Sequence, residues 1–327
     1  MKINCVHFYV ENAIKTRDWF VRKIGFQSLY SKNDGQTQTE AIVYHSVGFL
    51  ISSPLKQTSP VAKFLKVHAE GVADIAFFVK DVDSIVAKAR RLNIRVWQYR
   101  QTFNKQAKIG GWDYLTHTLI EKKELQNCGS TSGIDHLVLN VPVGQLTEAV
   151  EFYRALLGFE VRQTFNIKTD SSGLFSKALT DRSGEVRFNI NEPTSPNSQI
   201  QEFLDFNGGS GIQHLALRSR DLIATVKEMR DRGMDFFSVP KIYYSKLQKW
   251  KNISNLEWTT IAQQQILVDG DRDNPEALLM QIFTKPIFDK PTFFLEFIER
   301  RQNAKGFGKG NFMALFEAVE REQAKRK

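Results

Sequence analysis

Glu296 sits in TFFLEFIER (292 to 300), where a two-residue period puts Phe294, Glu296 and Ile298 on one face of a strand and Phe293, Leu295 and Phe297 on the other. A carboxylate buried without a partner in such a strand costs several kcal/mol, so it calls for a cation or strong hydrogen bonds. A glutamate that reaches solvent or an arginine at the strand end is the plainer alternative. Two histidines argue for the cation. His136 in GIDHLVLNV (133 to 141) and His214 in GIQHLALRS (211 to 219) both fall early in an apolar strand that follows a glycine. A lone strand histidine is usually a satisfied core residue, but two in matching settings, about one module apart and with Glu296 one module further on, read as ligands. Two imidazoles and one carboxylate form the facial triad of non-haem iron(II) oxygenases, which leaves three positions for substrate and dioxygen. Zinc with a bound water is the other chemistry that such a set allows.

A repeat must position these residues. INCVHFYVENAIKTRDWFVRKIGF (3 to 26) resembles IDHLVLNVPVGQLTEAVEFYRALLGF (134 to 159), each an alternating strand, an amphipathic helix with an aromatic pair, and a Gly-Phe that opens the next strand. Trp19 and Phe20 match Phe152 and Tyr153, and Gly25 and Phe26 match Gly158 and Phe159. A second pair, VADIAFFVKDVDSIVAKARRLNI (72 to 94) and IQHLALRSRDLIATVKEMRDRGM (212 to 234), aligns Asp81 with Asp221 and Asp74 with His214. The chain therefore reads as four βαβββ-like modules, two in each half, with a boundary near the polar LQNCGSTSG (125 to 133). Two homologous domains are expected, 1–127 and 131–327. The first half carries Cys5 and Asp74 where the second carries its histidines, so one metal per chain is expected, in the second domain.

The 327 residues exceed one typical domain, and 42% hydrophobic with 25% charged residues is ordinary for a globular chain. Twenty-five phenylalanines, dense at 293 to 297 and through Phe316, suit either core packing or an aromatic-lined pocket. No apolar run reaches the length of a membrane span and no signal-like start is present, so a cytoplasmic protein without a membrane partner is expected. Cys5 and Cys128 form no metal or disulfide pattern and read as free thiols. A formal charge of +9 raises the question of nucleic acid, but the basic residues are dispersed. No nucleic-acid partner is expected, and the mild positive field suits a small anionic substrate.

Four blocks carry a more specific resemblance: NEP (191 to 193) with SQIQEFLDFNGGSGIQHLAL (198 to 217), LLMQIFTKPIFDKPTFFLEFIERR (278 to 301), and GFGKGNFMALFEAVEREQ (306 to 323). In this order and spacing they resemble the 4-hydroxyphenylpyruvate dioxygenase family of the vicinal oxygen chelate superfamily across nearly the whole second half. FYVENA (8 to 13) is the clearest echo in the first half, and 246 to 265 departs from the family pattern. The resemblance implies an α+β fold of two domains built from paired βαβββ modules, glyoxalase-like, each an open β-barrel, with a C-terminal helix. It implies Fe(II) held by His136, His214 and Glu296, and catalytic roles for Gln281, Gln213 and Phe312. Substrate contacts are implied for Ser176, Asn191, Gln199, Phe283, Phe294, Phe307 and Asn311. Strand alternation points Gln213 away from its neighbour His214, which weighs against its part.

The reaction so implied converts 4-hydroxyphenylpyruvate and O2 to homogentisate and CO2, so the partners are an aromatic 2-oxo acid and dioxygen, with a homo-oligomer, dimer or tetramer, expected. Hydroxymandelate synthase, which oxidises the benzylic carbon instead, is the nearest alternative. Phe312 is an aromatic where the synthase tends to carry a smaller aliphatic residue. A metal-free ligand-binding protein of the same fold is the alternative from another class. Gly306, Gly308 and Gly310 permit a sharp approach, after which NFMALFEAVEREQ reads as an amphipathic helix, either a lid over the site or a plain cap.

Overall fold

The structure is a computed structural model that describes residues 1–100, 105–122, 133–169, 172–246, 253–270, 274, 276–302, 304–306 and 308–326. Cys128, Phe307, most of the expected boundary at 125 to 133, and 247–252 lie outside the described residues. The chain divides into two compact units, Met1–Leu215 with Phe288–Phe293, and Ala216–Ile287 with Phe294–Lys327.

Two eight-stranded sheets organise the chain. The first holds β1 (Lys2–Tyr9), β2 (Gln27–Asn33), β3 (Thr37–Tyr44), β4 (Val47–Pro54), β5 (Gly71–Val79), β6 (Val96–Arg100), β7 (Gln106–Gly110) and β8 (Thr116–Glu121), in the order β2-β3-β4-β1-β5-β8-β7-β6. Its helices are α1 (Ala13–Lys23), α2 (Pro60–Leu65) and α3 (Val82–Arg91). The second sheet holds β9 (Ile134–Asn140), β10 (Glu160–Lys168), β11 (Gly173–Thr180), β12 (Arg187–Pro193), β13 (Gly211–Arg218), β14 (Leu267–Gly270), β15 (Leu278–Phe283) and β16 (Phe294–Arg301). Its order, β10-β11-β12-β9-β13-β16-β15-β14, is that of the first sheet strand for strand. The accompanying helices are α4 (Leu146–Leu157), α5 (Gln199–Asn207), α6 (Leu222–Asp231), α7 (Lys241–Lys246), α8 (Asn255–Gln264) and α9 (Lys309–Ala324). This is the mixed α+β, glyoxalase-like arrangement of paired strand–helix–three-strand modules. Among the described residues, no helix is long and apolar enough to cross a membrane.

The repeat is visible in the packing. Phe20 of α1 lies beside Phe26 and Phe49, with ring centroids 5.3 and 5.5 Å away. Tyr153 of α4 lies in the same way beside Phe159 and Phe188, at 6.1 and 4.7 Å. All six rings are buried, so each helix is fixed to its own sheet by the second member of its aromatic pair and by the Phe of the Gly-Phe that follows. Asp81 and Asp221 also play the same part. Each caps a helix in an extended conformation, accepting from Ser84 N and Ala224 N respectively, both at 2.9 Å.

Where the second sheet has histidines, the first has Cys5 and Asp74. Asp74 is buried and internally engaged: it accepts from Thr116 Oγ1 at 2.6 Å and lies 3.8 Å from Lys108 Nζ. Burial raises its pKa, and Lys108 opposes that shift. Replacing Asp221 with alanine is expected to lower the unfolding free energy by about 1 kcal/mol through loss of the cap, read as a lower urea midpoint with an unchanged slope.

Candidate metal centre

Strands β9, β13 and β16 are neighbours in the second sheet, and they carry His136, His214 and Glu296 respectively. One ligand atom from each of the three lies within 4.8 Å of the others, and all three residues are buried. The imidazole centroids are 5.8 Å apart at an interplanar angle of 79°. Burial, and secondarily the charge of His136, pushes the His214 pKa well below 6.5, which keeps its ring in the neutral form that a metal binds.

The imidazoles are oriented from behind. Nδ1 of His136 lies 3.1 Å from Asp135 Oδ1, and the other oxygen of Asp135 accepts from Arg187 Nη1 at 3.1 Å. A carboxylate can only accept, so the His136 hydrogen sits on Nδ1 and the Nε2 lone pair is left for an ion. At His214, Nδ1 lies 3.4 Å from Gln213 Oε1, and the amide of Gln213 donates to Gln199 Oε1 at 3.0 Å. Gln213 is thus held between Gln199 and the edge of the ring. Its long side chain reaches what strand alternation alone does not predict.

The anion is 1% exposed, and Gln281 Nε2 donates to Glu296 Oε1 at 2.7 Å. Phe283 stands opposite Glu296 and Gln281 opposite Ile298 in the β15–β16 ladder, so Gln281 and Phe283 share the face of Glu296. Phe283 and Phe294 have ring centroids 6.4 Å apart and form a buried cluster with Phe237, Leu267, Leu315, Ala318 and Val319. The last three residues of α9 in that list bind the helix to the sheet, while its first turn reaches the site: Asn311 Nδ2 donates to Gln281 Oε1 at 2.7 Å. Gly308 is required there. Its φ is +65°, and a Cβ would lie 2.6 Å from Gln281 Oε1 and 2.8 Å from Leu279 Cδ2. Phe312, one residue past Asn311, is half-buried.

Ser176 and Asn191 face each other across β11 and β12, and Asn191 pairs in turn with Asn140 of β9. Asn140 and Val138 follow His136 at two-residue steps, and Asn189 pairs with Val138, so one face carries His136, Asn140, Asn189, Asn191 and Ser176. Asn191 Nδ2 donates to Asn140 Oδ1 at 3.3 Å. Ser176 Oγ, Asn140 Nδ2, Asn189 Oδ1 and Asn191 Oδ1 are buried without a hydrogen-bond partner among the described residues. Leaving such groups unsatisfied costs about 1–3 kcal/mol each, a cost that a hydrogen-bonding ligand removes. Asn140 and Asn189 are absent from the sequence-based set, although the His136–Val138–Asn140 and Asn189–Asn191 alternation is there to be read. Asp135 and Arg187 are absent too, because their pairing depends on the β9–β12 contact.

The donor set fits a divalent ion: two buried imidazoles with engaged Nδ1 atoms, and one buried carboxylate whose charge a cation would compensate. Residues 133–248 match the Glyoxalase/Bleomycin resistance protein/Dioxygenase superfamily. A 4-hydroxyphenylpyruvate dioxygenase of Caenorhabditis briggsae is 34% identical across 98% of this chain and 91% of its own length. The enzyme of that name from Sus scrofa is 35% identical across 99% and 91%, and an uncharacterized protein of Synechocystis sp. is 35% identical across 98% and 97%. Among solved structures, a triple mutant of 4-hydroxymandelate synthase from Streptomyces coelicolor superposes with a TM-score of 0.88 at 26% identity, covering 98% of each chain.

Asp135→Asn keeps the size of the side chain but removes the charge that holds the His136 ring. The variant is expected to bind Co(II) about 10–100-fold more weakly, measured by anaerobic titration against the parent protein.

Proposed function

This chain belongs to the 4-hydroxyphenylpyruvate dioxygenase family, and on that premise we propose that it is an Fe(II)-dependent dioxygenase that converts 4-hydroxyphenylpyruvate and O2 to homogentisate and CO2. The observation that carries the reading is the buried His136–His214–Glu296 set beside a strip of unsatisfied amides and a hydroxyl. The reaction is balanced: the original carboxylate leaves as CO2 with its own two oxygens, and both atoms of O2 enter homogentisate, one in its new carboxylate and one as the new ring hydroxyl.

Bound iron supplies the redox chemistry that activates dioxygen toward the 2-oxo acid. The residues of the chain supply orientation. His136, His214 and Glu296 would hold the metal, and a site with only three protein ligands would leave room for a 2-oxo acid and O2. Asp135 and Gln213 hold the imidazole rings, and Gln281 holds Glu296. Ser176, Asn140, Asn189 and Asn191 are the groups offered to the polar ends of the substrate, and Phe283, Phe294 and Phe312 are the rings offered to its aromatic part. Gln199 acts through Gln213. The first turn of α9, packed by Leu315 and Phe316, excludes water from the side of Glu296 and Gln281.

A second reading rests on the likeness to 4-hydroxymandelate synthase. The same ligands and substrate would serve oxidation at the benzylic carbon. An aromatic at Phe312 favours ring attack, because a bulkier wall there restricts how the ring can turn.

The test is anaerobic loading with Fe(II), followed by oxygen uptake with 4-hydroxyphenylpyruvate and identification of the product. Homogentisate, abolished by Glu296→Ala, is the expected result. Hydroxymandelate would select the second reading, and absence of both iron binding and oxygen uptake would leave a ligand-binding protein of this fold.

A further inference from the structure

Tyr243, on the short helix α7, has no part in the triad or in the aromatic set, yet its hydroxyl ends a hydrogen-bonded chain that begins at Glu296. Gln281 Nε2 donates to Glu296 Oε1 at 2.7 Å, Asn311 Nδ2 donates to Gln281 Oε1 at 2.7 Å, and Tyr243 O–H donates to Asn311 Oδ1 at 3.1 Å. The direction of the chain has one cause. A carboxylate can only accept, so Gln281 must present its NH2 to Glu296 and its carbonyl to Asn311. Asn311 must then present its NH2 to Gln281, which leaves its carbonyl for a donor, and the phenol is that donor. The second hydrogen of the Asn311 amide faces Leu279 O at 3.4 Å.

The phenol is itself held. Its oxygen accepts from Val268 N at 3.1 Å, and Val268 O lies 3.0 Å away as a second acceptor for its single hydrogen. Tyr243 also packs against the cluster that joins α9 to β15 and β16. Burial raises the pKa of its hydroxyl, so the group remains a donor.

We infer that Tyr243 is a positioning residue for the metal centre: through Asn311 and Gln281 it fixes the rotamer of the Glu296 carboxylate and fastens the first turn of α9 against it. The inference rests on the reading of Glu296 as a metal ligand. It makes α7 and α9 supports of the site rather than peripheral helices. It also makes the hydroxyl hydrogen a two-way element, with the chain complete when the hydrogen points to Asn311 and interrupted when it points to Val268 O.

The test compares Tyr243→Phe with Tyr244→Phe. Tyr244 is the adjacent buried phenol, donates to Ile266 O at 3.1 Å, and does not contact the amide chain. Both variants lose a buried hydroxyl, so a merely structural role predicts the same behaviour for both. Tyr243→Phe is expected to weaken Co(II) binding by about tenfold, the lower end for a group that acts through a ligand. It is also expected to shift the visible Co(II) spectrum and to speed amide exchange across Asn311–Ala314. Tyr244→Phe is expected to do none of these. Parental affinity, spectrum and protection in Tyr243→Phe would overturn the inference alone, as would equal losses in Tyr244→Phe. No Co(II) binding by the parent protein would instead remove the metal reading, and this inference with it.

Discussion

The arrangement of the second sheet follows from one buried anion. Glu296 lies buried between Leu295 and Phe297 in the apolar first half of its strand, where water does not reach it. With the imidazoles of His136 and His214 close by, it completes a set that could hold a metal ion, and its geometry calls for hydrogen-bond donors. The Gln281 amide meets part of that need, and in doing so fixes which way Gln281 and Asn311 must face. A helix lying over the sheet thereby takes its first-turn residues, and the glycine that lets it approach, from the demands of a single carboxylate.

The two sheets share one plan and differ at a few strand positions. Strand order, helix caps and the aromatic anchors at Phe20 and Tyr153 are shared. The difference lies in the side chains on a few strand positions. Asp74, at the place of His214, finds its partners in Thr116 and Lys108 of its own sheet. His214 stands beside His136 and Gln213 instead, and its burial favours the neutral ring.

Much of this was legible in the sequence, and for identifiable reasons. The aromatic pair followed by Gly-Phe marks a helix returning to its sheet, and it recurs, so the modules could be counted. His136, His214 and Glu296 stand out because a polar residue in an apolar strand violates the pattern of its neighbours. What was not legible depends on pairings between distant strands. Arg187 is an ordinary surface-type residue until the β9–β12 contact sets it against Asp135. Tyr243 sits among polar and aromatic residues with no periodic signal, and only the fold brings it to Asn311. Gln213 shows the opposite failure, since the alternation rule is sound for Cβ directions but a four-bond side chain can bend back to its neighbour's ring.

The order of the site residues along the chain bears on how the protein is made. His136 leaves the ribosome first, then His214, and only later Glu296 and Asn311. At roughly 5–20 residues per second, the first histidine is exposed for on the order of ten seconds before the carboxylate exists. His214 follows about halfway through that interval, and from then until Glu296 the nascent chain offers two imidazole nitrogens without the oxygen donor that completes the set, a combination that suits copper or zinc as well as iron. The carboxylate and the amides that hold it, Gln281 and Asn311, are thus made together, as the last parts of the set.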